Sequence, residues 1–346
     1  MTDNPKTSTE LVVQKPAIVA VLGAGSWGTA LAQILARRGH TVTIWGRETE
    51  IVDEINASHS NEFYFPGVKL NPAIRGIKEI DAAVRGAEAI VVAVPSVAVR
   101  SVIQQIKQHI QPGAIVISAA KGLEGDTLKT MSAVIEEELG SSARVAALSG
   151  PSFAAEVIRE YPTAVAVAAR TKETAETAAK LFHQDIFRAY TSTDLVGVEI
   201  GGAIKNVIAL AVGVVDGVGM GLNARAGLIT RGLAEIQRLV VGMGGERQTV
   251  SGLSGLGDLL LTATGDLSRN RQVGLRLGRG EKLDDIISSL GQVAEAVVTA
   301  PKALELARKL NIDAPLTEEV VRVLRGERSI NESVKALLSR AQKAET

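Results

Sequence analysis

Residues 17–25, AIVAVLGAG, run directly into residues 26–39, SWGTALAQILARRG. The first piece is an apolar run of strand length, and the second repeats its apolar residues at the period of a helix. At the joint stand Gly23, Ala24, Gly25, Ser26, Trp27 and Gly28, a G-x-G-x-x-G spacing between a strand and a helix. Gly23 permits a tight turn, Gly25 lets a pyrophosphate approach the backbone, and Gly28 lets the helix lie close to the sheet. The uncapped amides and partial positive charge of the helix start favour phosphate there. TVTIWGR (41–47) reads as a second strand, so the chain opens with a βαβ unit suited to a dinucleotide. The competing reading is an ordinary glycine-rich turn, which lacks a reason for the full strand, turn and helix context.

The usual acid for the adenosine ribose lies about twenty residues on, at the end of the second strand. Here that place reads Trp45-Gly46-Arg47-Glu48. Arg47 either contacts a 2′-phosphate or stacks on adenine, and Glu48 either bonds to ribose or faces water. The balance tilts toward NADPH without excluding NADH.

Strands ending in turns follow at 88–96, 114–122 and 144–152, with amphipathic helices expected at 98–110 and 128–139. Residues 163–170 and 187–194 add strand candidates around a helix at 174–184. INASHSNEFYFPGVKL (55–70) has no long period and is expected to hold a loop. From Val198 onward helical patterns dominate. The boundaries are 1–15 for a flexible tail, 16–197 for a dinucleotide-binding domain and 198–341 for a helical substrate domain. The length of 346 residues fits two cores better than one.

Composition narrows the partners. Formal net charge is +0 and aromatics are 3%, which argues against a nucleic-acid surface. Cys is 0, so cysteine nucleophiles, cysteine metal ligands and disulfides are excluded. The N-terminus lacks the pattern of a secretion signal. Residues 201–219 come nearest to a membrane span, but Lys205, Asn206 and Asp216 interrupt them, and a buried helix is the expected outcome.

An ammonium and an amide inside VEIGGAIKNVIALAVG (198–213) need a reason. Lys205 either snorkels to water or meets a partner. Lys121 after one strand, Gly150 and Ser152 after another, Asp258 in SGLSGLGDLLLTATGD, and Ser268, Arg269 and Asn270 are further polar candidates for a cleft between the two parts. A lysine serves in proton transfer when burial or positive charge lowers its pKa. Lys121 would repel Lys205, and Asp258 would orient it. Arg269 offers a fork of donors to phosphate, or simply follows an N-cap into solvent. The histidines His40, His59, His109 and His183 fall in no pocket motif and read as surface or structural. No metal-ligand cluster is evident.

At these motifs the chain resembles the bacterial NAD(P)-dependent glycerol-3-phosphate dehydrogenases. The carrying stretches are VLGAGSWGTALA (21–32), WGR (45–47), VVAVPS (91–96), AAKGLE (119–124), LSGPSFAAEV (148–157), EIGGAIKNVIALAVGVVDG (199–217), GLSGLGDLLLT (252–262) and SRNR (268–271). The resemblance implies a Rossmann-like α/β N-terminal domain and an all-helical C-terminal domain like that of 6-phosphogluconate dehydrogenase. It implies reversible NADPH- or NADH-dependent reduction of dihydroxyacetone phosphate to sn-glycerol 3-phosphate for phospholipid synthesis. Lys205 would carry the proton, with Lys121, Asn206 and Asp258 beside it. Lys121, Gly150, Ser152, Lys205, Asp258, Ser268, Arg269 and Asn270 would meet substrate. Gly23, Gly25, Ser26, Trp27, Gly28, Arg47, Lys121, Ala154, Arg269, Val293 and Glu295 would meet cofactor. A cytoplasmic homodimer without metal, nucleic acid or integral membrane association completes the expectation. A dehydrogenase for a small hydroxy or keto acid and a non-catalytic nicotinamide sensor stay open as alternatives.

Overall fold

The computed structural model describes residues 15–290, 294–342 and 344. The expected tail, apart from Lys15, and the expected cofactor contact Val293 lie outside these residues.

The N-terminal part is built on β1 (Ile18–Leu22), β2 (Thr41–Trp45), β3 (Ile74–Ile77), β4 (Ala89–Val92), β5 (Ile115–Ser118), β6 (Arg144–Ser149), β7 (Thr163–Ala169) and β8 (Phe187–Ser192). They form one sheet in the order β3-β2-β1-β4-β5-β6-β7-β8. Neighbours are parallel except β6 and β7. Helices α1 (Ser26–Arg37), α2 (Thr49–Ser58), α3 (Ile80–Val84), α4 (Val99–Ile106), α5 (Met131–Leu139), α6 (Ala154–Val157) and α7 (Lys172–Phe182) connect and cover it. Alternation along β1 explains the two layers. Val19 and Val21 join the core under α1 and α7, while Ala20 and Leu22 join the core under α4 and α5. Burial of both faces is why these strands read as continuous apolar runs. Strand order reverses between β1 and β4, and their C-terminal ends open the crevice in which such sheets take ligands.

The stretch expected to be irregular is partly helical, because α2 runs to Ser58. Only Val52 and Ile55 of α2 are buried, so polar residues mask its period. The edge strand β3 is also absent from the sequence reading, because IRGI has only two apolar side chains, split by Arg75 and Gly76, where β4 and β5 are buried along their whole length. Past Ser58 the chain does turn irregularly, closed by a short bridge between Ser60 and Lys69.

The helical part contains α8 (Leu195–Val218), α9 (Gly221–Gly242), α10 (Asp258–Thr264), α11 (Arg269–Gly278), α12 (Leu283–Leu290), α13 (Glu295–Lys309), α14 (Pro315–Leu324) and α15 (Ile330–Leu338). Asp194 starts α8 by accepting from the Gly197 amide at 2.8 Å, and Gly219 ends it with φ +80°. A helix apolar all round belongs inside a protein. Accordingly α8 is the axis on which α9, α10, α11 and α13 pack, with Ile204, Ile208 and Val212 on one side and Val207, Leu210 and Val214 on another. It is long and apolar enough to cross a membrane, yet 94% of its most apolar window is buried within the protein. The contact between α8 and α11 is made through glycines. A Cβ on Gly213 or Gly217 would strike the backbone of Arg271 or Leu275, and one on Gly274 or Gly278 would strike that of Leu210 or Val214.

Candidate active site

The glycine turn after β1 has little room to spare. A Cβ on Gly23 would stand 2.8 Å from the Ala93 carbonyl oxygen, and Gly23 itself has φ +117°. One on Gly28 would strike the Gly23 carbonyl oxygen. Gly25 differs, because the first atom its Cβ would meet is the Tyr64 hydroxyl at 3.9 Å. Two glycines therefore satisfy packing, and the third faces open space. Gly25 is also the N-cap of α1, with no side chain capping the helix. The buried Trp27 Nε1 has no hydrogen-bond partner among the described residues. Uncapped amides, an open Gly25 and an orphaned donor fit a bound dinucleotide.

Arg47 follows β2, and its guanidinium meets the Glu48 carboxylate at 2.8 Å with both side chains well exposed. Tyr64 comes from the irregular stretch after α2. Burial pushes its hydroxyl above the usual tyrosine range, with Glu48, Arg269 and Arg47 all near enough to act on it. Tyr64 thus stands between the end of β2 and the start of α11. The sequence reading passes over it because its segment has no period.

A second group of residues converges on Asp258. The two glycines before Lys205 in α8 admit their neighbours closely: Gly201 faces the Ser254 carbonyl, and Gly202 faces the Ser149 hydroxyl and the Lys121 side chain. A π-helical turn, Leu253–Gly257, leads into Asp258 at the first position of α10. Such turns often mark functional positions. Lys205 Nζ donates to Asp258 Oδ1 at 2.8 Å and to Thr262 Oγ1 at 2.5 Å. Lys121 Nζ donates to Asp258 Oδ2 at 2.6 Å and to the Gly150 carbonyl at 3.2 Å. One carboxylate therefore receives two ammonium groups. Lys205 and Asp258 are 5% and 2% exposed, so Lys205 meets a partner and does not snorkel. Thr262 is missed by the sequence reading, although it lies one helical turn beyond Asp258 and bonds to it at 3.2 Å.

Burial lowers the Lys205 pKa to about 8. The attraction of Asp258 opposes that fall, while Lys121 and Arg269 add to it. For Asp258, burial works against the charge, but Lys121 and Lys205 outweigh it and hold the carboxyl below its ordinary value. The result is an amine poised within reach of neutral pH and a carboxylate that stays ionised.

Asn206, next to Lys205, accepts from Asn270 Nδ2 at 2.9 Å, and Asn270 Oδ1 accepts from the Ala296 amide at 2.9 Å. This chain joins α8, α11 and α13 and turns the Asn206 NH2 into its donor end. Ser268 is the N-cap of α11, accepting from the Arg271 amide at 3.2 Å. Arg269 opens that helix; the residue is exposed overall, but burial around its guanidinium lowers its pKa, with Glu295 and Tyr64 near enough to oppose that fall. Burial raises the Glu295 carboxyl pKa, opposed by Ser96 and Arg269. Ser152 folds back on the Gly150 carbonyl at 3.0 Å, and Ala154 begins α6 nearby. His40 is buried and structural, taking the Ala17 amide on Nδ1 and meeting the Leu181 carbonyl through Nε2. Among the described residues no three His, Asp or Glu side chains are grouped to hold a metal ion.

Residues 18–175 match the family model for the N-terminus of NAD-dependent glycerol-3-phosphate dehydrogenase, and residues 194–335 match the model for its C-terminus. A glycerol-3-phosphate dehydrogenase [NAD(P)+] of Anaeromyxobacter sp. (strain K) is 50% identical over 327 residues, covering 94% of this chain and 98% of the relative. That of Geobacter sulfurreducens is 47% identical over 331 residues, covering 94% and 98%. A crystal structure of glycerol-3-phosphate dehydrogenase from Coxiella burnetii superposes with a TM-score of 0.90 at 39% identity, covering 94% of this chain and 99% of that one.

Proposed function

The chain belongs to the NAD-dependent glycerol-3-phosphate dehydrogenases, and on that premise we propose how its own residues carry out the reaction. The enzyme reduces dihydroxyacetone phosphate reversibly to sn-glycerol 3-phosphate with NAD(P)H. When bound, the nicotinamide supplies the hydride that reaches C2 of the ketone. Negative charge then grows on the ketone oxygen, and Lys205 donates its proton to it. In the oxidative direction neutral Lys205 takes the hydroxyl proton. Asp258 and Thr262 aim the amine, and Lys121 adds a second positive charge where the oxyanion forms. The Asn206 NH2 steers the same oxygen.

Arg269, with the Ser268 hydroxyl and the Asn270 amide, holds the phosphate at the start of α11. Gly150 and Ser152 complete the substrate wall, Gly150 by the carbonyl that already receives Lys121. Anchoring the phosphate turns a loose encounter into an aligned one. On the cofactor side, Gly23, Gly25, Ser26, Trp27 and Gly28 hold the pyrophosphate turn. Arg47 leaves Glu48 to meet a 2′-phosphate, which favours NADPH. Ala154, Lys121, Arg269 and Glu295 line the nicotinamide side.

The proposal assigns the nucleotide to residues 16–197 and the substrate to 198–341, with a helical part akin to that of 6-phosphogluconate dehydrogenase. It places the enzyme in the cytoplasm as a homodimer supplying phospholipid synthesis. The exposed Leu222 and Val241 of α9 offer apolar surface for that pairing. The observation that carries the chemistry is the pair of lysines on the two oxygens of Asp258. The test follows reduced-nicotinamide absorbance with dihydroxyacetone phosphate and with unphosphorylated dihydroxyacetone, using NADPH and NADH in turn. Rapid oxidation with the phosphorylated ketone alone is the expected result. No reaction in folded, nucleotide-binding protein overturns the proposal.

A further inference from the structure

Glu199 lies on α8, six residues before Lys205, or about 9 Å along the axis. It is 8% exposed. Its Oε1 accepts from the Ser132 amide at 2.8 Å, and its Oε2 accepts from the Ser132 hydroxyl. Ser132 is in the first turn of α5, a helix whose N-cap residue, Thr130, makes no side-chain capping bond. Glu199 therefore caps α5 from a distance of 67 residues. Burial raises the Glu199 carboxyl pKa above its ordinary value, and the hydrogen bonds from Ser132 oppose that rise.

The segment leading into α5 carries Lys121. It doubles back as a hairpin, with Leu123 bridged to Thr130 and the Glu124 amide bonded to the Lys129 carbonyl at 2.9 Å. Lys302 holds its far side through the Leu123 carbonyl at 2.9 Å. Leu123 and Leu128 rest on the same apolar cluster as Ile200 and Ile204 of α8. Apolar packing limits how far such a hairpin moves from the helix, but it is non-directional. The Glu199 bonds add a fixed direction and a fixed place along α8.

We propose that Glu199 is a positioning residue, tying the Lys121 hairpin to α8 so that Lys121 and Lys205 meet Asp258 together. The inference rests on the roles given to Lys205 and Lys121 above. Loss of the tie lets Lys121 drift from Asp258. The charges facing Lys205 are Asp258 from α10, Lys121 from the hairpin and Arg269 from α11. Lys121 is one of those that lower the Lys205 pKa, so its departure raises that pKa.

The test is E199L, which keeps much of the bulk of the side chain and removes both acceptors from the Ser132 amide and hydroxyl. For dihydroxyacetone phosphate we expect kcat/KM to fall about 10- to 100-fold, the range that small misplacements of reacting groups produce. The alkaline limb of the pH profile for reduction should move to higher pH. The sign separates mechanisms, because a carboxylate acting only through its charge would on removal move the limb to lower pH. A folded E199L enzyme with unchanged kcat/KM, or with its limb unmoved or lowered, overturns the proposal. Should E199L not fold, S132A removes one donor and must move the limb upward by a smaller amount; no upward movement overturns the proposal. A parent enzyme that fails to reduce dihydroxyacetone phosphate would instead overturn the underlying functional reading.

Discussion

Lys205→Ala removes the amine and leaves its neighbours in place. Asp258 keeps Lys121 on its other oxygen at 2.6 Å, so the buried carboxylate is not orphaned. The fold should survive, and so should nucleotide binding, because the glycine turn belongs to a different part of the chain. Catalysis should not. A positioned general acid contributes roughly 10²- to 10⁴-fold in rate, so kcat should fall by that factor, or about 3–5 kcal/mol of barrier. The pH profile sharpens the test. With the Lys205 pKa near about 8, its charged form is present below that pH and lost above it. Ketone reduction needs the charged form, so parent kcat/KM should decline as pH rises through that region. Alcohol oxidation needs the neutral amine and should rise there. Both limbs should vanish in the variant, and a small primary amine in the buffer should restore part of the turnover. The assay is nicotinamide absorbance across pH, with circular dichroism as the check on folding and intrinsic fluorescence reporting nucleotide binding. Near-normal turnover in folded variant, or a parent profile flat through that range, would refute the assignment of Lys205.

Arg269→Ala should raise KM for dihydroxyacetone phosphate by about 10- to 150-fold, the worth of a charged hydrogen bond of ~1.5–3 kcal/mol, while the slow reaction of unphosphorylated dihydroxyacetone changes far less. Equal losses on both ketones would count against a phosphate anchor. Gly274→Ala drives a methyl into the backbone of α8 at Leu210 and should cost about 1–3 kcal/mol in urea denaturation; an unchanged midpoint would contradict the close helix contact. Glu235, fully buried in α9, takes the Leu316 and Thr317 amides at 2.8 and 3.1 Å, and burial raises its pKa from 4.5 to about 7. The folded state thus holds this proton more tightly, and stability drains away as pH rises from about 4.5 to 7, by up to roughly 3 kcal/mol. E235Q cannot titrate, so its stability relative to the parent should improve over that window; parallel pH curves would refute the shift.

The strand, turn and helix at 17–39 are legible because three independent local demands coincide there: an apolar run, a glycine spacing and a helical period. The helical part is legible from Val198 onward for the same kind of reason. By contrast α2 hides behind a polar face, and β3 breaks its apolar run with Arg75 and Gly76. Lys205 and Asp258 stand out as charges in apolar surroundings, yet their 2.8 Å contact spans 53 residues of chain and depends on how α10 meets α8. Spacing holds no record of that. Thr262 and Glu199 escape notice for opposite reasons. A threonine in a helix is unremarkable, and a glutamate near a helix start carries no sign of its partner until α5 is seen to begin on it.

The glycine contact between α8 and α11 has a consequence for which substrates fit. Backbones that touch directly leave no soft layer of side chains to compress. Lys205 stands on one of these helices and Arg269 begins the other, and the Asn206–Asn270 bond pins them together beside both. On the roles proposed for Lys205 and Arg269, proton donor and phosphate anchor are then two marks on one stiff ruler. Movement of the nucleotide part can bring hydride nearer or take it away, but it cannot change the length that the ruler measures. A ketone with one more carbon between carbonyl and phosphate would reach one mark and miss the other.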